Sequence, residues 1–459
     1  MRQYLILVLG ILATIGCRES SGLESEAEHV VAFIDVNIVP MDSERVLQHQ
    51  SVIVSDDRIV HIGPVSDIEV PTGALKIAGD GGYLMPGLAD MHVHAFKENL
   101  LTYVANGVTT VRFMDGHPNI LAWRDQIAEG QLLGPTIYTA GPTIDGPPEE
   151  DDNVVETFEE AVRIVAEQSA AGYDFVKVYN DVPRLAYEGL ITAAKKHGLP
   201  VVGHVPFEAG LAGAFAAGQK SIEHLRGYIF ELITTDAPVR PGEAVRSRAL
   251  AWNYADRSKF SLLARMTRDA GVWNCPTLVD MQHWTLPSEE YEKLFSRPEV
   301  RFLSHRSRQW LRDRSEGWLG AFSEADFESA RKALEIKKEF VGALHNAGAG
   351  ILLGTDDWMR GFSVHEELQN LVDAGLTPFK AISAGTRDAA EFLGASREFG
   401  TITPGKRADF ILLNANPLED VENVARRRGV MVRGTWIPED KLRQMLEALA
   451  LLIENDVVG

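Results

Sequence analysis

The chain has 459 residues, 45% hydrophobic and 24% charged, an ordinary globular profile with length for one large domain and a smaller one. Its formal net charge of −20, with no basic run longer than "RRR" at 426–428, argues against a nucleic-acid partner, since phosphate backbones reward clustered Lys and Arg. With Cys17 and Cys275 as the only cysteines, no disulfide framework is expected.

At the amino terminus, Arg2 and the apolar run "YLILVLGILATI" read as an export signal over 1–16, too short to span a membrane comfortably. It closes in "ATIGC", which resembles a bacterial lipobox with Thr14 where Leu is more usual. Cys17 is therefore the candidate lipid-anchor site and 17–29 a polar tether. The expected location is the periplasm, free or anchored to the membrane. Residues 30–85 carry short alternating strands such as "HVVAFIDVNIVP" and "SVIVSDDRIVHIGP", without a convincing helix. The stretch 400–440 has the same texture, so a small β-sandwich built from both chain ends is expected, followed by a helix and tail over 441–459.

Between them, 86–399 alternates strands with helices. Candidate strands are "YLMPGLADMHVH", "VTTVRFMD", "PTIYTAG", "DFVKVY", "PVVGHV", "KSIEHL", "VWNCPTL" and "GILLGTD". Stretches such as "VVETFEEAVRIVAEQSAAG" and "FESARKALEIKKEFVGALHNAG" have apolar residues at helical spacing and a closing Gly. Eight such units predict a (β/α)8 TIM barrel of the α/β class. An open doubly wound sheet is the alternative, but no Gly-rich phosphate loop follows any strand. The connections 226–271 and 279–349 exceed one crossover helix, and Trp252, Trp284, Trp310 and Trp318 in them could wall a pocket or pack as extra core.

Polar residues gather at the predicted strand ends. His92 and His94 share a face at the end of the first strand, because side chains alternate along a strand. Lys177 lies in the fourth strand, His204 ends the fifth, His224 the sixth and Asp356 the eighth. In a barrel these ends converge on one face. A buried Lys is costly as an ammonium, but its neutral amine can capture CO2 and become a carbamate able to bridge two cations. Four His, one Asp and such an N6-carboxylysine at Lys177 suit two divalent metal ions, with zinc favoured by imidazole and oxygen donors. Tyr228 is a candidate for the substrate carbonyl and Arg226 for a substrate carboxylate. His117, His283 and His365 could line the pocket, and Cys275 reads as a small buried hydrophobe.

On "LMPGLADMHVH", "DFVKVY", "GHVPF", "SIEHL", "LLGTD" and "FGTITPGKRADFILLNANPL", the chain resembles the amidohydrolase superfamily over nearly everything after residue 30. It looks most like the branch of imidazolonepropionase-like proteins and Xaa-Pro and Xaa-Arg dipeptidases. The resemblance implies one metal on His92, His94 and Asp356, another on His204 and His224, and carbamylated Lys177 as the bridge. It departs at Phe113, where that branch often shows an Asp after the Arg, which leaves any second-strand contact open. The implied activity is hydrolysis of a C–N bond in a peptide or N-acyl amino acid, with Asp356 as general base and acid to a metal-bridging hydroxide. A lactone, another ester or a phosphotriester is the alternative substrate, and a non-catalytic binding protein a remote one. The expected partner is a small molecule; a homo-oligomer is compatible with the sequence.

Overall fold

The computed structural model describes residues 29–147, 153–239, 244–320 and 322–455. The leader, Cys17, the tether up to residue 28 and the Trp318 side chain lie outside the described residues. Among the described residues, no helix is long and apolar enough to cross a membrane.

The first five strands are β1 (Val30–Ile38), β2 (Leu47–Ser55), β3 (Arg58–Pro64), β4 (Leu75–Ala78) and β5 (Tyr83–Pro86). Seven shorter strands follow, separated by helices: β6 (Leu88–Val93), β7 (Val108–Phe113), β8 (Thr136–Thr139), β9 (Val176–Val178), β10 (Val201–Gly203), β11 (Ser221–Glu223) and β12 (Trp273–Cys275). The last three are β13 (Phe410–Leu413), β14 (Arg427–Val432) and β15 (Thr435–Pro438), before the helix Glu439–Glu454.

The two ends of the chain form one sheet. Its order is β15-β14-β13-β5-β1-β2-β3, with β4 paired to β1. The edge strand β3 also meets the segment leading into β13, through Ile59 N–H to Lys406 O at 2.9 Å and Gly405 N–H to Ile59 O at 2.7 Å. Phe33 packs edge-on against Phe410 and Trp436 inside it, with ring centroids 5.9 and 5.1 Å apart. The predicted strand through "YLMPGLADMHVH" is in fact two. Gly87 separates them, because its N–H bonds Asp409 O and a side chain there would collide with Thr109. The part before it joins the end sheet and the part after it starts the parallel series.

Strands β6-β7-β8 and β9 to β12 pair in parallel, and parallel bridges Ala140–Phe175 and Ile144–Val178 connect the two groups. Every residue of β6 and β7 is buried, the signature of a parallel sheet covered on both faces. The predicted eighth strand is a single bridge, Asn274–Ile351, in an otherwise irregular segment. That segment still bonds both neighbours. Leu352 N–H reaches Asn274 O, Met91 N–H reaches Leu353 O, and Asp356 N–H reaches His92 O, each at 2.8 Å. The architecture is a TIM-barrel-like α/β fold with a terminal β-sheet.

The long connections fold as helices, and Trp252 among them is core, packed on Phe340 with centroids 6.0 Å apart. Trp284 leans on Tyr291, and Trp310 is half exposed, so these residues do not form one wall. Gly354 is where the eighth segment touches β6 and β12 most closely: a Cβ there would overlap Cys275 Sγ and crowd His92. Gly354→Ala is therefore expected to cost about 2 kcal/mol by overpacking. A lower urea midpoint at unchanged slope would show it.

Candidate active site

The carboxyl ends of β6, β9, β10 and β11 and the eighth segment meet at one place, and five of them carry a predicted ligand there. His92 is fully buried, as are Lys177 and His204, whereas the His94 ring is 40% exposed. Asp356 divides its carboxylate: Oδ1 stands 3.7 Å from His92 Nε2 and 3.4 Å from His94 Nε2, while Oδ2 stands 3.5 Å from His224 Nε2. These gaps exceed a normal hydrogen bond. They match two ligands of one tetrahedral cation, which at metal–ligand distances of roughly 2.0–2.1 Å lie about 3.4 Å apart.

The other nitrogen of three of the rings is already committed. His92 Nδ1 meets Glu223 Oε2 at 3.0 Å, His204 Nδ1 meets Asn180 Oδ1 at 3.1 Å, and His224 Nδ1 meets Thr277 Oγ1 at 2.6 Å. Such contacts fix ring orientation, and because the Glu223 and Asn180 oxygens only accept, Nδ1 of His92 and His204 donates and Nε2 carries the lone pair. Among the described residues, the buried Nε2 atoms of His92 and His204 have no hydrogen-bond partner. A buried polar atom without a partner costs about 1–3 kcal/mol, and two imidazole nitrogens of this kind in one cluster fit a cation as their partner. Backbone conformation is unusual here too: φ is +57° at His224 and +50° at Asp356, in the left-handed region that few non-glycine residues adopt.

Electrostatics agree. Burial, reinforced by neighbouring positive charge, holds all four imidazoles below their ordinary pKa and therefore neutral, the form that binds metal. Burial also lowers Lys177 and raises Asp356, the latter further through Asp280.

A model of the Amidohydrolase family matches residues 83–437. The chain belongs to that family. The ochratoxinase of Aspergillus niger is 24% identical to this amidohydrolase over 84% of this chain and 81% of its own length. Among solved structures, a bottromycin amidohydrolase superposes with a TM-score of 0.71 at 24% identity, covering 93% of this chain and 90% of its own. A Xaa-Pro dipeptidase with methionine bound superposes with a TM-score of 0.65 at 19% identity, over 89% and 100%. At these identities the two structures speak for the fold.

The remaining sequence candidates fall out differently. Tyr228 is not at the site: it is buried against Phe340, and its hydroxyl donates to Asn274 Oδ1 at 2.8 Å and pairs with Thr267 at 3.0 Å. The chain turns at Gly227, φ +105°, and the short helix Tyr228–Leu232 sends the ring into the core. Arg226 does stay close, its charge lowering His204 and His224. His117 abuts Trp123 and His365 contacts Arg427 at 3.3 Å. Cys275 is buried, its thiol pushed up by that burial, as expected of a small hydrophobe. Phe113 is core, and the second strand contributes through Arg112 instead.

Sequence reading missed the layer behind the ligands. Arg112 forks onto both oxygens of Glu223 at 3.0 Å and donates from Nε to Met91 O at 2.6 Å, all of it buried. Asp90 accepts from Thr355 N–H at 3.0 Å and Thr355 Oγ1 at 2.7 Å, tying β6 to the residue before Asp356. Burial raises Asp90 to about 7. His283 lies between Asp357 at 2.9 Å and Glu366 at 3.1 Å, and Arg297 binds Glu366 at 2.6 Å. The only hint in sequence was that charged residues sat inside otherwise apolar strands.

Burial alone would lower His283, but the two carboxylates raise it to about 10. The folded chain thus keeps this proton where the unfolded chain, titrating near 6.5, has lost it. The stabilisation is complete below pH 6.5 and lost as the pH climbs through about 10. His283→Gln is expected to cost about 3 kcal/mol at pH 6, as breaking a buried ion pair does. Chemical denaturation across pH 6–10 should show that deficit shrinking steadily.

Proposed function

We propose that this amidohydrolase is a binuclear zinc hydrolase that cleaves a C–N bond in a peptide or N-acyl amino acid. The observation that carries the reading is the pair of buried, partnerless Nε2 atoms of His92 and His204 beside the Asp356 carboxylate and its flanking rings. His92, His94 and Asp356 would hold one cation and His204 and His224 the other, with Asp356 Oδ2 near the second set. Lys177 would bridge them as a carbamate: burial favours its neutral amine, and the amine is what adds CO2. Two divalent cations so held would supply an acidified water and polarise the scissile carbonyl.

The chain's own groups do the rest. Asp356 takes the proton of the attacking water and returns it to the departing nitrogen, which matters because an amide anion is a poor leaving group. Arg226, whose charge acts on His204 and His224, is the candidate for a substrate carboxylate. The family match supports C–N chemistry.

In the same reading, residues 86–399 form a closed (β/α)8 barrel and 30–85 with 400–440 a β-sandwich. The eighth segment's bonds to both neighbours support the first, and the Phe33–Phe410–Trp436 packing supports the second. The leader over 1–16 and Cys17 support export with a lipid anchor.

The test is release of primary amine from a library of dipeptides and N-acyl amino acids, with zinc and bicarbonate supplied. The wild type should release it, and Asp356→Asn should lower the rate at least ~100-fold, the usual scale for losing a general acid–base group. A metal-loaded wild type that releases none would overturn the C–N assignment.

A further inference from the structure

We propose that Tyr179 is a catalytic residue of this site: its hydroxyl donates a hydrogen bond to the substrate carbonyl oxygen as that oxygen takes up negative charge. The inference rests on the hydrolase reading above.

Tyr179 directly follows β9, two positions beyond Lys177. Alternation puts both side chains on one face, with Tyr179 about 7 Å nearer the mouth at strand rise. Its ring is fixed. It stacks on His204, centroids 4.0 Å apart and planes at 27°, and Lys177 Nζ lies 5.2 Å from the ring centroid. Its N–H bonds Ile144 O at 2.9 Å. The residue is part-exposed, although Lys177 and His204 beside it are buried.

The hydroxyl is the informative atom. Tyr187 spends its hydroxyl on Gln219 at 2.9 Å, and Tyr228 spends its own on Asn274 and Thr267. Among the described residues, nothing hydrogen-bonds the hydroxyl of Tyr179. For stacking on His204 alone, Phe would serve as well and need no partner. A donor held rigidly beside a candidate ligand, and kept free of protein acceptors, is arranged for an acceptor that arrives with the substrate.

The electron count is simple. The nucleophilic oxygen bonds to the carbonyl carbon, and the π pair moves onto the carbonyl oxygen. Tyr179 keeps its proton and shares it with that oxygen. When the C–N bond breaks, the pair returns to the carbonyl, and the nitrogen leaves with the proton delivered by Asp356. Because charge on the oxygen exists only in the tetrahedral state, the contact acts on turnover more than on binding.

Tyr179→Phe keeps the ring and removes the donor. On the metal-loaded protein and its best substrate from the library, kcat should fall about 100-fold, as for loss of one oxyanion donor, with KM within about twofold. Metal content and melting temperature should be unchanged. Calorimetry should show a phosphonamidate analogue of that substrate weakened by a similar factor, and the carboxylate product bound as before. Wild-type turnover in Tyr179→Phe, with loss only in Tyr179→Ala, would make the residue a mere platform for His204 and overturn the proposal. An inactive wild type would instead remove the hydrolase reading and this proposal with it.

Discussion

The site depends on one backbone hydrogen bond, from Asp356 N–H to His92 O at 2.8 Å. It sets the register of the eighth segment against β6 and brings a carboxylate alongside the histidine pair. A shift by one residue would turn Asp356 to the opposite face and leave the imidazoles facing nothing. The fold reinforces that register from behind: Met91 N–H reaches Leu353 O, and Asp90 clamps Thr355. Gly354 lets the two segments approach closely enough for both contacts.

Around this register the protein tolerates costs that a purely structural core would avoid. It buries His92, His204 and Lys177 beside the part-exposed Asp356, leaves two ring nitrogens without a partner among the described residues, and holds His224 and Asp356 at positive φ. Each is unfavourable alone. Bound cations would satisfy the nitrogens and balance the carboxylate, making one account of all three. The Arg112–Glu223 pair and the His283 network then serve as rigid backing, since ligands must be held in place before the metal arrives.

Much of this was legible in the sequence where a side chain's direction follows from local periodicity. His92 and His94 share a face by alternation, and strand–helix repetition places His204, His224 and Asp356 at converging ends. What depended on distant partners was not legible. Glu223 is 131 residues from His92 and 111 from Arg112, and nothing local joins them. Tyr228 misled because proximity along the chain to His224 suggested proximity in space, whereas Gly227 turns the chain away. Tyr179 was overlooked although the alternation that selects His94 from His92 selects it from Lys177. The predicted strands were also too long: backbone at positive φ at His224, Asp356 and Gly203 breaks the ladders near the site.

The central claim is that the cluster is a two-cation centre. The direct measurement is the number of metal ions per chain, by inductively coupled plasma mass spectrometry after saturation with zinc and bicarbonate and removal of excess. The account predicts two per wild-type chain, with His204→Ala losing one and keeping the other. A saturated wild type holding one ion or none, with His204→Ala unchanged from it, would contradict the account.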